Sequence, residues 1–126
     1  MIPINYYGTL VLDKLWKMAK EHGEYFILNN NKAFIPLTVE IITTKQISLC
    51  HHFDFCGCLM CYPEMVFYKY DVQYIAIYYR NDYLGKEQVS VTVDSYALHC
   101  KNYFMQAEHT FLAEKWLKLI KKIQKI

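Results

Sequence analysis

MVFYKYDVQYIAIYY (residues 65–79) decides the fold class. Residues 65–70 and 74–79 are two runs rich in aromatic and β-branched side chains, and only Asp71, Val72 and Gln73 separate them. Three residues suffice for a hairpin, whereas a parallel pair needs a crossover of a dozen or more. The centre of the chain is therefore an antiparallel hairpin, and its neighbours extend it.

Upstream, QISLCHHF (46–53) sets Ile47, Leu49, His51 and Phe53 on one strand face and Ser48, Cys50, His52 and Asp54 on the other. AFIPLTVEIIT (33–43) is long and β-branched, with Pro36 confined to a strand start, an edge or a bulge because it cannot donate to a ladder. EYFIL (24–28) is a short strand, separated from it by the turn cluster NNNK. Downstream, EQVSVTVD (87–94) alternates Val89, Val91 and Val93 with Ser90, Thr92 and Asp94, the pattern of one half-buried strand.

Helices close both ends. In TLVLDKLWKMAKEHG, Leu12, Leu15, Trp16 and Ala19 recur at i, i+3, i+4 and i+7, which predicts a helix over 9–22. Thr9 or Asn5 is placed to cap its start, and Gly23 suits the position after its last turn. A second helix is predicted over 99–124. Its stripe is Met105, Leu112, Trp116, Leu119 and Ile123, widened by Phe104, Phe111 and Ile120. Lysines 115, 118, 121, 122 and 125 crowd its end, where cations complement the helix dipole. Strands grouped between helices, rather than alternating with them, predict an α+β fold. The expected architecture is a meander of about five strands with both helices on one face, each giving a Trp to the core.

The 126 residues make a single domain, 1–126, long enough to fold without metal or disulfides. A content of 54% hydrophobic and 17% aromatic residues excludes a disordered chain. The start MIPINYYGTL lacks a basic region followed by an apolar run, and no segment has the roughly 20 apolar residues of a membrane span. A cytoplasmic protein with reduced thiols is expected, in keeping with an odd count of five cysteines.

CHHFDFCGCLMCYPE (50–64) holds four of those cysteines and two of five histidines. Cys58 and Cys61 have zinc-knuckle spacing, and Cys56 with His51 or His52 would complete a ligand set. No second cysteine pair at matching spacing occurs elsewhere, and His51 and His52 point to opposite faces of a strand. The stretch reads as a strand, a turn and the start of the next strand, with no metal and no cofactor assigned. A redox CxxC would need a helix after it, but Tyr62-Pro63-Glu64 and a strand follow. No glycine-rich phosphate loop is present, and no motif fixes a Cys-His or paired-carboxylate catalytic geometry. The protein is read as not an enzyme.

The net charge is +2, with 13 Lys and the single Arg80. One guanidinium is a poor basis for reading bases or phosphates, so a small nucleic-acid-binding protein is only the alternative. Tyr68, Tyr70, Tyr74, Tyr78 and Tyr79 exceed what one core face holds, and tyrosine is enriched at protein interfaces. The expected partner is another protein or a second copy of the chain. Candidate binding residues are His52, Glu64, Asp82, Tyr68 and Tyr78.

The segments AFIPLTVE (33–40), ISLCHHFDFCGCLMCYPEMVF (47–67), IAIYYRNDYLGKEQ (75–88) and AEKWLKLIKK (113–122) are similar to a family of small domains of unknown function carried on plasmids, conjugative elements and phages of gut bacteria. Pro63-Glu64-Met65 and Asn81-Asp82-x-Leu84-Gly85 are the most specific pieces, and His52, Gly57, Leu59, Met60, Phe67 and Gln88 also match. Cys58 and Tyr62 stand where the family tends to carry acids. The resemblance implies an accessory protein of a mobile element in a bacterial cytosol; together with the interface reading of the tyrosines, the expected function is non-catalytic action by protein–protein contact, as an inhibitor of a host system. A zinc- or thiol-dependent protein using the turn between Cys56 and Cys61 is the second alternative.

Overall fold

The computed structural model describes residues 1–95 and 97–126. Its elements are α1 (Tyr6–Glu21), β1 (Tyr25–Leu28), β2 (Leu37–Thr43), β3 (Gln46–Phe55), β4 (Cys58–Tyr70), β5 (Gln73–Asn81), β6 (Lys86–Val89), β7 (Val91–Asp94), β8 (Ala97–Cys100) and α2 (Tyr103–Gln124). Strands β1 to β6 form one antiparallel meander in sequence order, while β7 and β8 make a separate hairpin. The fold is α+β, with helices at the two ends of a six-stranded meander, one strand more than expected.

α1 forms where its periodicity placed it. Asn5 is the N-cap, its side chain accepting from Gly8 N at 2.8 Å. Gly23 takes φ +75° just past the last turn, and Glu24 N closes the end by donating to Ala19 O at 2.7 Å. Leu12, Leu15 and Ala19 are fully buried, and Trp16 packs at the rim of the core. β2 starts immediately after Pro36, which sits at the strand start.

α2 corrects its expected face. Phe104, Phe111, Leu112 and Leu119 are exposed and Met105 and Ile123 half-buried, so of the expected stripe only Trp116 and Ile120 lie in the core. The buried face is instead Gln106, His109, Thr110, Ala113, Trp116, Leu117, Ile120 and Gln124. Its polar members satisfy irregular backbone that no apolar residue could serve. Gln106 accepts from Ile2 N at 2.8 Å and donates to Ile2 O and Ala76 O; Thr110 also donates to Ile2 O. Gln124 accepts from Asn30 N at 2.9 Å, and His109 Nε2 meets Gln88 Oε1 at 2.9 Å. α2 also begins at Tyr103 rather than residue 99, because β8 takes Ala97–Cys100.

The expected strand 87–94 is broken in two at Ser90. Ser90 is fully buried; its N–H donates to Ile77 O at 3.1 Å and its carbonyl accepts from Lys101 N at 2.8 Å. β6 stays on the edge of the meander, while β7 leaves it to pair with β8.

The meander is covered on both faces. Against the helices lie Leu37, Val39, Ile47, Leu49, Met65, Phe67, Tyr74, Ala76 and Tyr79. On the reverse, Val66, Ile75 and Ile77 pack with Val91, bordered by Tyr68, Tyr78 and Leu98. Burying that many aliphatic and aromatic side chains, at about 1.5–3 kcal/mol each, is what holds the layers together.

Candidate functional site

A bulge organises both candidate surfaces. β3 and β4 pair regularly from Gln46↔Tyr68 to Cys50↔Glu64 and resume at His52↔Cys61, leaving Tyr62 and Pro63 opposite His51 alone. Pro63 has no N–H to donate, which suits a position where the ladder is interrupted. Cys61 and Glu64, three residues apart, thereby share the face of Cys50 and His52. His51, Tyr62 and Pro63 turn to the helix side.

On the helix side the bulge faces α2 across a cleft of about 410 Å³, which Ile35, His51, Tyr62, Pro63, Trp116, Leu119, Ile123 and Gln124 help to line. His51 meets Trp116 edge-on, with ring centroids 5.3 Å apart. Burial lowers the His51 pKa to about 4, so the imidazole is neutral at pH 7. The side chains are otherwise almost all apolar, and two buried donors at the cleft, Trp116 Nε1 and Gln124 Nε2, have no hydrogen-bond partner. The cleft continues at both ends. Pro63, Trp116 and Leu119 are shared with a 260 Å³ hollow that reaches Leu112 and Lys115, and Ile35 and Tyr62 with a 310 Å³ hollow under Phe53 and Tyr83. Tyr62 is braced there by Phe53 at 5.8 Å and Tyr83 at 5.5 Å.

On the opposite side, Cys50 and Cys61 are buried and His52 is half-buried. Their ligand atoms all lie within 4.8 Å of one another, with Cys50 Sγ 3.3 Å from His52 Nε2. Thr38 Oγ1 lies 3.3 Å from His52 Nδ1. Burial raises the pKa of both thiols, so neither is the exposed, low-pKa thiolate that nucleophilic catalysis uses. Cys56 and Cys58 are exposed on the turn and take no part.

The five residues singled out from the sequence divide between the thiol pair and the apolar layer. His52, Glu64 and Asp82 each adjoin a different part of the thiol pair: His52 Nε2 is 3.3 Å from Cys50 Sγ, Glu64 pairs with Cys50 across the ladder, and Asp82 bonds the backbone of Cys61. Ser48 Oγ donates to Glu64 at 3.1 Å; Asp82 accepts from Cys61 N and Arg80 Nε, each at 2.8 Å. The Arg80 guanidinium and the Cys61 N–H lower the pKa of Asp82. Tyr68 and Tyr78 border the apolar layer on that same reverse face, where Tyr78 donates to Glu87 and sits opposite Val66, two residues along from the Glu64–Arg80 pair. The tyrosines of the β4–β5 hairpin are thus spread over two faces: Tyr74 and Tyr79 are buried in the helix-side core, and only Tyr70 is exposed. The cleft itself went unseen in the sequence because Leu112, Leu119 and Ile123 were assigned to the core. A second i, i+4, i+7 series, Ala113, Leu117 and Ile120, was the sign that α2 has more apolar surface than one core face needs.

Among the described residues no helix is long and apolar enough to cross a membrane. No curated protein and no solved structure matches the chain. Residues 10–126 match the family described as Domain of unknown function (DUF6908), and the chain belongs to that family.

Proposed function

We propose that this protein is a non-catalytic, cytoplasmic accessory factor of a bacterial mobile element, and that it acts by binding a host protein and blocking it. The observation that carries this reading is the outward apolar stripe of α2, Leu112, Leu119 and Ile123, which continues across the cleft to Ile35, Tyr62 and Pro63. Contiguous apolar surface of this kind marks interaction sites on monomeric proteins. Lys115, Lys118 and Lys122 are exposed along the same helix. The fitting partner is a segment with apolar anchors flanked by acidic residues. The raised thiol pKa values argue against a cysteine nucleophile, and the family resemblance supplies the mobile-element setting.

The test is capture of bacterial host proteins on immobilised wild-type protein and on Leu119→Asp, with sedimentation of each variant alone. A partner held by the wild type, released by salt and lost by a folded Leu119→Asp supports the reading. No partner and no self-association, or identical capture by both variants, overturns it.

A further inference from the structure

The cluster on the reverse face of β3 and β4 has no part in the groove, and its geometry points to a separate ligand. We propose that Cys50, His52 and Cys61 bind one thiophilic divalent cation, best matched by zinc, leaving a fourth position for water or an outside donor.

Spacing is the first ground. Donor atoms on a tetrahedral zinc at about 2.3 Å for sulfur and about 2.0–2.1 Å for nitrogen stand roughly 3.3–3.8 Å from one another. The three donors here are mutually within 4.8 Å, and the Cys50–His52 pair is at 3.3 Å. Small side-chain rotations bring the set onto one ion.

The scaffold is the second. Cys50 and His52 are two residues apart on β3 and so face the same way, and Cys61 lies directly across from His52 on β4. The set therefore straddles two paired strands instead of lying along the turn. A count of cysteine pairs along the chain misses it for that reason.

Orientation is the third. A metal-binding histidine generally has its other ring nitrogen held by an oxygen, which fixes the tautomer. Thr38 Oγ1 lies 3.3 Å from Nδ1, placed to accept from it in the Nδ1–H tautomer, and that tautomer leaves the Nε2 lone pair facing Cys50 Sγ at 3.3 Å. Asp82, itself held by Arg80, fixes the backbone of Cys61.

Charge is the fourth. Two thiolates and a neutral imidazole cancel a dication, so a partly buried site carries no net charge. Binding sends both thiol protons to solvent. Two thiolates and an imidazole suit zinc or cobalt, whereas magnesium and calcium take oxygen donors.

The reduced, chelator-treated full chain is titrated with Co²⁺ and then Zn²⁺, with metal content measured after gel filtration. The expected result is one ion per chain, a thiolate-to-cobalt charge-transfer band, and displacement of cobalt by zinc. Cys50→Ser and Cys61→Ser abolish the band, and the Cys56→Ser/Cys58→Ser double variant keeps it. Thr38→Val, which removes only the supporting hydroxyl, weakens binding about 10- to 100-fold. No stoichiometric uptake by the folded, reduced wild type overturns the proposal, as does a band that survives in Cys50→Ser. A Cys50–Cys61 disulfide in protein that takes up no metal after reduction overturns it equally. If the serine variants fail to fold, the wild type, Thr38→Val and the exposed Cys56/Cys58 variant still decide. The cluster faces away from the groove, so this outcome and that of the partner capture are independent.

Discussion

The hydroxyl of Tyr74 donates a 2.8 Å hydrogen bond to Oδ1 of Asp13, joining the start of β5 to α1 across the core. Tyr74 is fully buried, and both burial and its bond to Asp13 raise the phenol pKa. Tyr74→Phe keeps the ring and removes the bond. It is expected to lower stability by about 1.5 kcal/mol, in the range for a hydrogen bond to a charged acceptor. Urea unfolding followed by circular dichroism measures it, and an unchanged midpoint would show that the bond contributes nothing net.

Gly8 lies where α1 meets α2. Replacing glycine by alanine in an open helical position stabilises by about 1 kcal/mol. Here the added Cβ would stand 2.6 Å from Ile4 Cγ2 and 3.2 Å from Leu117 Cδ1. The sign should therefore reverse, with Gly8→Ala losing about 1–2 kcal/mol through overpacking. Thermal unfolding decides, and a raised Tm would mean the helices separate without strain.

Leu117 and Leu119 test the assigned face of α2. Leu117 is fully buried, whereas Leu119 is 50% exposed on the groove. Leu117→Ala should cost about 2–4 kcal/mol, and Leu119→Ala no more than about 0.5 kcal/mol. Equal losses would put both residues in the core and remove the groove.

His51 makes stability pH-dependent. Buried beside Trp116, it takes a proton only near pH 4, whereas in the unfolded chain it does so near its usual value of about 6.5. Between those values the unfolded state binds more protons. The contribution is therefore complete above about pH 6.5 and lost as pH falls towards 4, by on the order of 2 kcal/mol after allowance for partial solvent contact. His109, whose pKa burial also lowers, adds to the same slope. His51→Gln should flatten the plot of urea midpoint against pH without abolishing its slope, and an unaltered slope would count against a buried, neutral His51.

The fold class was legible because its main signals were local. The 65–79 hairpin, the period of α1, the Asn5 cap and the Gly23 stop each depend on neighbours in sequence. What escaped depended on contacts across the fold. Ser90 ends β6 without glycine or proline, because buried backbone partners on β5 and before α2 claim it. Gln106, His109, Thr110 and Gln124 are buried to serve the backbone near Ile2 and Asn30 and the side chain of Gln88, which no hydropathy pattern records. The candidate site was half legible for the same reason. His52 was named and lies beside a thiol cluster, but of the expected ligands Cys56, Cys58 and Cys61 only Cys61 belongs to it, with Cys50 as the second thiol, because the pairing of β3 with β4 selects them.

The bulge opposite His51 is in effect a removable insertion. Regular alternation puts residues two apart on one face, and the extra residue between Cys61 and Glu64 is what stretches that spacing to three. In-frame loss of the Pro63 codon would restore an ordinary ladder without exchanging the faces of anything on either side. The thiol cluster would keep its register, while the groove lost one of its walls. A single deletion at this point would therefore alter the groove while leaving the register of the thiol cluster in place.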